Sequence, residues 1–239
     1  MPLSSQILEL AKANRDTVGK LSFSKPVTHV YNPLVYAWRS FSIYAEKYAS
    51  TKKDIIFLGM NPGPWGMAQT GIPFGEVKMV KDWLGIAVSV GKPDTEHPRR
   101  PIEGFQCNRS EVSGTRLWGL FSEKFGSADR FFTHHYVANY CPLVFMEASG
   151  RNRTPDKLPS KESDPLYFAC DAHLRSLVET LEPEWLIAIG TFAEKRAALA
   201  LAGLQVKISR IIHPSPANPR ANSGWAREVT TELKGLGIW

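Results

Sequence analysis

Four short apolar runs constrain this chain more than any other feature: Ile55–Gly59, Phe131–Ala138, Trp185–Gly190 and Val206–Ile212. Helix-patterned stretches separate them. "SGTRLWGLFSEKFG" precedes the second, "SDPLYFACDAHLRSLVETL" the third and "TFAEKRAALALAG" the fourth, while "WAREVTTELKGLG" closes the chain. Continuous apolar runs of this length suit strands covered on both faces, and strand–helix alternation lets such strands lie parallel. The predicted fold class is α/β, with a mainly parallel four-stranded sheet between helices.

Local signals predict further elements. Ser4 to Val18 reads as an amphipathic helix within an N-terminal helical segment of about residues 1–26. "YNPLVYAWRSFSIYAEKYAS" reads as one helix, with Asn32 as N-cap and Pro33 at its first position. Leu34, Trp38, Phe41, Ala45 and Tyr48 would share a face. Ser163 or Asp164 would cap the next long helix, with Pro165 just inside it. Thr191 and Glu194 stand in capping-box spacing. No internal repeat or linker divides the chain, so residues 1–239 read as a single domain.

The 29 Lys+Arg exceed the 23 Asp+Glu, giving a net charge of +6. That excess points first to nucleic acid, where neutralising phosphate dominates binding; plain solubility charge explains it equally well. Arg99, Arg100, Arg109, Arg151 and Arg153 lie in two long polar loops and could face phosphate. The cysteines Cys107, Cys141 and Cys170 are odd in number and far apart. This disfavours a disulfide framework, a C-x-x-C metal site and an iron–sulfur cluster. His134 and His135 are adjacent and lack further ligands nearby, so packing is expected of them; no metal and no cofactor is predicted. The N-terminus has no signal-type apolar core, and no apolar run approaches the length of a membrane span. An intracellular protein is expected: in the cytoplasm or nucleoid of a prokaryote, or the nucleus of a eukaryote.

In sheets of this type ligands bind outside the carboxyl ends of the strands. Three segments would meet there: "LGMNPGPWGMAQTGIPFGE", "NYCPL" after Ala138, and "HPSPANPRAN" after Ile212. The first is no phosphate cradle. It lacks Gly-Lys-Ser/Thr and G-x-G-x-x-G, and Pro62 and Pro64 delete two backbone donors. It reads instead as a rigid wall. The prolines stiffen it, while Gly59, Gly63 and Gly66 let a ligand approach closely. Asn61 at the strand end would orient a water, and Phe74 offers a face for a planar base. A turn with a core Phe accounts for the composition as well. His213 follows a strand and precedes alternating prolines, so it is presented at the rim, either as an electrostatic catalyst beside Asn61 or as a structural histidine.

The ordered motifs "GMNPGPWGMAQTGIPFGEV", "NYCPL" and "HPSPANPRAN" resemble those of single-strand-selective monofunctional uracil-DNA glycosylases, within the uracil-DNA glycosylase superfamily. "VTHVYNPLVYAW", "EVSGTRLWG" and "SGRNRTP" resemble that family too, and the similarity runs from about Val27 to Leu236. The resemblance implies a three-layer α/β/α sandwich. It implies base-excision repair by hydrolysis of uracil from single- and double-stranded DNA, with no cofactor and no strand cleavage, by a monomer that does not engage membranes.

Carried over residue by residue, the resemblance makes His213 the donor to the base oxygen nearest the bond and Asn61 the holder of the attacking water. Many superfamily members carry Asp at Asn61, so general-base help should be weak here. Asn139 would read the base and Phe74 would stack on it. Met60 would also touch the substrate, and Gly63 and Met67 would line the side facing C5, where a hydroxymethyl group is admitted. Pro214, Ser215, Pro216, Ala217, Asn218 and Arg220 belong to the segment that would insert into the duplex. Two positions depart from the family pattern. Ala217 stands where Arg is usual, leaving Arg220 as a stand-in, and Trp65 replaces Phe, which could change the pocket volume and admit or exclude xanthine. The competing reading is a catalytically silent protein that binds damaged or single-stranded DNA. A small-molecule hydrolase has no nucleophile elbow to support it.

Overall fold

The computed structural model describes residues 1–239. Its strands are β1 Val27–Tyr31, β2 Ile55–Gly59, β3 His135–Asn139, β4 Val144–Glu147, β5 Asn152–Arg153, β6 Trp185–Ile189 and β7 Lys207–Ile211. Its α-helices are α1 Leu3–Val18, α2 Pro33–Tyr36, α3 Trp38–Tyr48, α4 Met67–Thr70, α5 Val77–Asp82, α6 Val112–Phe125, α7 Ala128–Phe132, α8 Ser160–Leu181, α9 Thr191–Ala200, α10 Pro219–Asn222 and α11 Trp225–Gly235.

The four predicted strands form one sheet in the order β3-β2-β6-β7, and every neighbouring pair is parallel. The central strand β2 is buried throughout, as its unbroken apolar run requires. The chain passes from β2 to β3 in one direction, then from β3 to β6 and on to β7 in the other. Right-handed crossovers therefore place α6 and α7 on one face and α8 and α9 on the other. Helix α11 packs on α6, and α1 packs against both α3 and α8, completing three layers. One cluster of buried apolar residues runs from Ile7 to Leu233. No helix is long and apolar enough to cross a membrane.

Several local expectations are corrected. The helix expected to continue from Pro33 breaks at Ala37, because the Tyr36 carbonyl accepts from the Gly91 N–H at 2.9 Å instead of serving the helix. Asn32 makes no side-chain cap; its Nδ2 donates to the Arg15 carbonyl at 3.1 Å, tying this turn to α1. Phe131 belongs to α7, whose N-cap is Ser127, and the strand starts only at His135. An unbroken apolar run does not by itself distinguish helix from strand. Helix α8 begins at Ser160, so neither Ser163 nor Asp164 caps it. Thr191 and Glu194 form no capping box. Both side chains instead hold Arg210 on β7, at 3.0 Å each.

A second sheet was not foreseen: β1, β4 and β5 pair antiparallel in the order β1-β4-β5. Its strands are short, and β1 lies far in sequence from β4, so no local pattern announces that pairing. It also uses Arg153, whose guanidinium pairs with Glu147 at 3.0 Å and is not free for phosphate.

Candidate active site

The β2–β3 register places Gly59 beside Asn139, so both strands end at the same level. There the chain opens a cavity of about 380 Å³. Met60, Asn61, Gly63 and Phe74 line it from the loop after β2, Asn139 from the end of β3, and His213 and Ser215 from the loop after β7. The three rim segments thus meet as their strand ends require. Met67 lies just behind, its Sδ 3.3 Å from the Asn139 Nδ2.

Gly59 is a steric necessity. A Cβ on it would lie 2.3 Å from the Asn139 Oδ1 and 2.5 Å from the Phe74 ring. Phe74 itself takes a left-handed backbone conformation, φ 52°, which is rare for an aromatic residue. Two bonds hold the strain: its carbonyl accepts from the Trp118 Nε1–H at 3.0 Å and from the Glu76 N–H at 2.7 Å. The Phe74 ring is thereby fixed 6.3 Å from the His213 ring, centroid to centroid.

The polar groups are oriented by neighbours. The Asn61 Nδ2 donates to the Leu143 carbonyl at 3.1 Å. Its Oδ1 is left as an acceptor at the cavity. The Asn139 Oδ1 is buried and has no protein partner. The His213 Nδ1 accepts from the Ser215 N–H at 3.1 Å. Burial lowers the pKa of that imidazole to about 4, so the ring is neutral. With Nδ1 accepting, the single ring proton sits on Nε2. Gly190 permits this placement: its φ of +95° turns the chain, and a Cβ there would press to 3.3 Å from that of His213.

Sequence reasoning gave no role to several lining residues: Glu111, Ser113, Asn152 and Thr154. The only signal was that "EVSGTRLWG" and "SGRNRTP" belong to the resembling motifs. Glu111 caps α6 by accepting from the Gly114 N–H at 2.8 Å, and burial raises its pKa. Arg116, from the same motif, braces the loop after β7. It donates to the Pro214 carbonyl at 2.8 Å and to the Asn222 Oδ1 at 2.9 Å.

Pro216 and Ala217 stand exposed at the tip of that loop. Asn218 turns inward, donating to the His213 carbonyl at 3.3 Å and capping α10. Arg220 is not free, since its guanidinium pairs with Glu228. Trp65 is not among the residues lining the cavity. Its ring lies between the guanidinium groups of Arg100 and Arg109, each 5.0 Å from the ring centroid.

The model of the uracil DNA glycosylase superfamily matches residues 46–234. A rat single-strand selective monofunctional uracil-DNA glycosylase is 48% identical over 92% of this chain and 80% of its own. Its bovine counterpart is 46% identical over 93% of this chain and 83% of its own. The crystal structure of wild-type Pedobacter heparinus SMUG2 superposes over the whole of both chains with a TM-score of 0.71 at 19% identity, a likeness of fold. The chain belongs to the uracil DNA glycosylase superfamily and, within it, to the single-strand selective monofunctional uracil-DNA glycosylases.

Proposed function

We propose that this protein excises uracil from DNA by hydrolysing its N-glycosidic bond, and that the whole chain works as one glycosylase domain. The observation that carries the reading is one cavity lined by an aromatic face, an unpartnered amide oxygen, an oriented amide acceptor and a neutral imidazole N–H. The base must leave the stack to reach such a site, and an unpaired base leaves at the least cost. Single-strand selectivity of the relatives, stated in their names, agrees with that.

In the proposed reaction the C1′–N1 bond breaks with its electron pair going to the base. That leaves a uracil anion and a cationic sugar, which water captures at C1′ with loss of a proton. The step needs donors aimed where negative charge develops. His213 supplies one from Nε2 to the base oxygen beside the bond. A neutral donor serves because burial disfavours the imidazolium. Asn61 orients the water through Oδ1 but is no base, so leaving-group stabilisation carries the rate. The Asn139 Oδ1 accepts from N3–H while its Nδ2 gives to O4. Cytosine presents the opposite pattern and would leave buried groups unpaired. Phe74 stacks on the base.

The same reading extends to 5-hydroxymethyluracil, its added group facing Gly63 with Met67 behind, and to a segment, Pro214 to Asn222, that enters the duplex, with Ala217 at its tip. The Arg220–Glu228 pair and the missing Arg at 217 favour weak duplex activity in a protein acting as a monomer. The test is release of free base from single- and double-stranded oligonucleotides carrying uracil, 5-hydroxymethyluracil or xanthine, with enzyme in excess. No uracil release from single strands under those conditions sinks the proposal.

A further inference from the structure

Of the five arginines in the two long polar loops, only Arg153 is paired with a carboxylate. The other four gather beside the cavity. Gly150 brings the two loops together: a Cβ on it would lie 3.3 Å from that of Arg99 and 3.5 Å from the guanidinium carbon of Arg100. Arg100 is anchored in the fold, its Nη1 donating to the Arg99 carbonyl at 2.9 Å and its Nε buried. Its guanidinium carbon lies 5.0 Å from the Trp65 ring centroid, and that of Arg109 lies at the same distance. Arg109 is exposed, and its side chain donates to no other residue. Three of these positions adjoin the cavity wall. Trp65 follows Pro64, Arg151 precedes Asn152, and Arg109 stands two residues before Glu111. The acids nearby serve other partners: Glu111 caps α6 and Glu96 pairs with Lys92. Glu103 is exposed and forms no ion pair with the cluster. Two cations held on one ring repel each other, and no carboxylate at the ring offsets that repulsion. A bound anion would.

We propose that Arg109, held on the Trp65 ring and backed by Arg100, binds a backbone phosphate of the strand next to the extruded uracil. This rests on the proposed function, in which a DNA strand delivers its base to the cavity. A guanidinium presents a planar fork that matches phosphate oxygens, and one already fixed on an aromatic face loses little freedom when it binds. The cations run on from Arg109 through Arg100 to Arg99 and Arg151, which suits a polymer carrying a phosphate at every step. The wedge segment offers no free guanidinium, because Ala217 has none and Arg220 is paired with Glu228. The grip on the strand therefore falls to the opposite end of the sequence, on the loop around Trp65. Indole is the aromatic ring that attracts cations best. Trp in place of the usual Phe at position 65 thus strengthens the hold on Arg109. Arg109 contacts the strand, whereas Trp65 is a positioning residue.

The test is fluorescence anisotropy of a labelled single-stranded oligonucleotide carrying one uracil. Arg109→Ala should weaken binding about tenfold and lower the slope of log affinity against log salt by about 0.7, the share of one phosphate on a single strand. Neutral methylphosphonates, placed one at a time on either side of the uracil, locate the contact. At one position the wild-type chain should lose about tenfold in affinity, as one phosphate contact requires, while Arg109→Ala loses nothing there. Trp65→Leu should lose part of the affinity, and joined to Arg109→Ala it should lose less than the product of the two separate losses. Undiminished binding by Arg109→Ala, or equal sensitivity of that variant and the wild type at every methylphosphonate position, overturns the proposal. Losses that multiply overturn the part given to Trp65. Should Trp65→Leu fail to fold, judged by melting temperature, the exposed Arg109→Ala and the methylphosphonates decide. Anisotropy needs no bond cleavage, so the two readings fail separately. Binding through Arg109 without uracil release removes the proposed function alone, whereas uracil release with normal binding by Arg109→Ala removes the phosphate contact alone.

Discussion

Lowering the pH from 8 to 5 should cost this protein a large part of its stability while leaving His213 neutral. His135, His173 and His213 are each lowered from 6.5 to about 4, in every case by burial. Between those values the unfolded chain binds protons that the folded chain refuses, so stability falls as the pH falls. With one pKa unit worth about 1.36 kcal/mol, each imidazole costs about 2 kcal/mol at pH 5 and about 3 kcal/mol well below pH 4. Three together cost about 6 kcal/mol at pH 5, against a typical domain stability of about 5–15 kcal/mol. His29, also lowered by burial, adds to the loss. Glu111 and Glu232 oppose it at the acid end, because burial raises their carboxyls. Lys53, lowered to about 8, acts above this window, since its contribution is complete by pH 8. Urea denaturation at half-unit steps of pH measures the effect. His135→Phe keeps the ring that stacks on Phe131 at 4.7 Å and should remove about a third of the loss. In the same range the single-turnover rate should carry no inflection near pH 6.5, because His213 stays neutral. Stability that is flat from pH 7 to 5, or a rate that titrates near 6.5, refutes the reasoning.

Asn61→Ala and His213→Ala should each lower single-turnover uracil release by about 100-fold or more while changing single-strand binding little, as loss of an oriented transition-state group does; gel-shift titration beside the rate assay checks both. Gly59→Ala would push a methyl into Asn139 and Phe74, and should cost about 1–3 kcal/mol of stability and most of the activity, read by melting and by base release. Asn139→Asp presents an acceptor for the cytosine amino group and should open measurable cytosine release, scored on oligonucleotides carrying each base. Arg116→Ala frees the loop it braces at Pro214 and Asn222, and should reduce activity on duplex more than on single strands, seen as a change in the ratio of the two rates.

The parallel sheet and the three rim segments were legible because their signals are local. The five-residue run of β2 is too short for a core helix and ends at a loop stiffened by Pro62 and Pro64, so it reads as a covered strand. Asn61, Asn139 and His213 came with those segments, as did the family, because ordered motifs survive in one dimension. Three-dimensional pairing decided the rest. The β1–β4–β5 sheet joins a distant β1 to a very short β4–β5 hairpin, and it carries Asn152 and Thr154 to the cavity wall. Nothing in the sequence signals that the Trp65 ring lies between Arg100 and Arg109 of a remote loop. The neutral state and Nε2–H tautomer of His213 depend on burial and on the Ser215 N–H, neither of which a residue name contains. Residue types and their spacing thus determined which groups stand at the strand ends. Their orientation and charge followed only from desolvation and from partners that tertiary packing supplies.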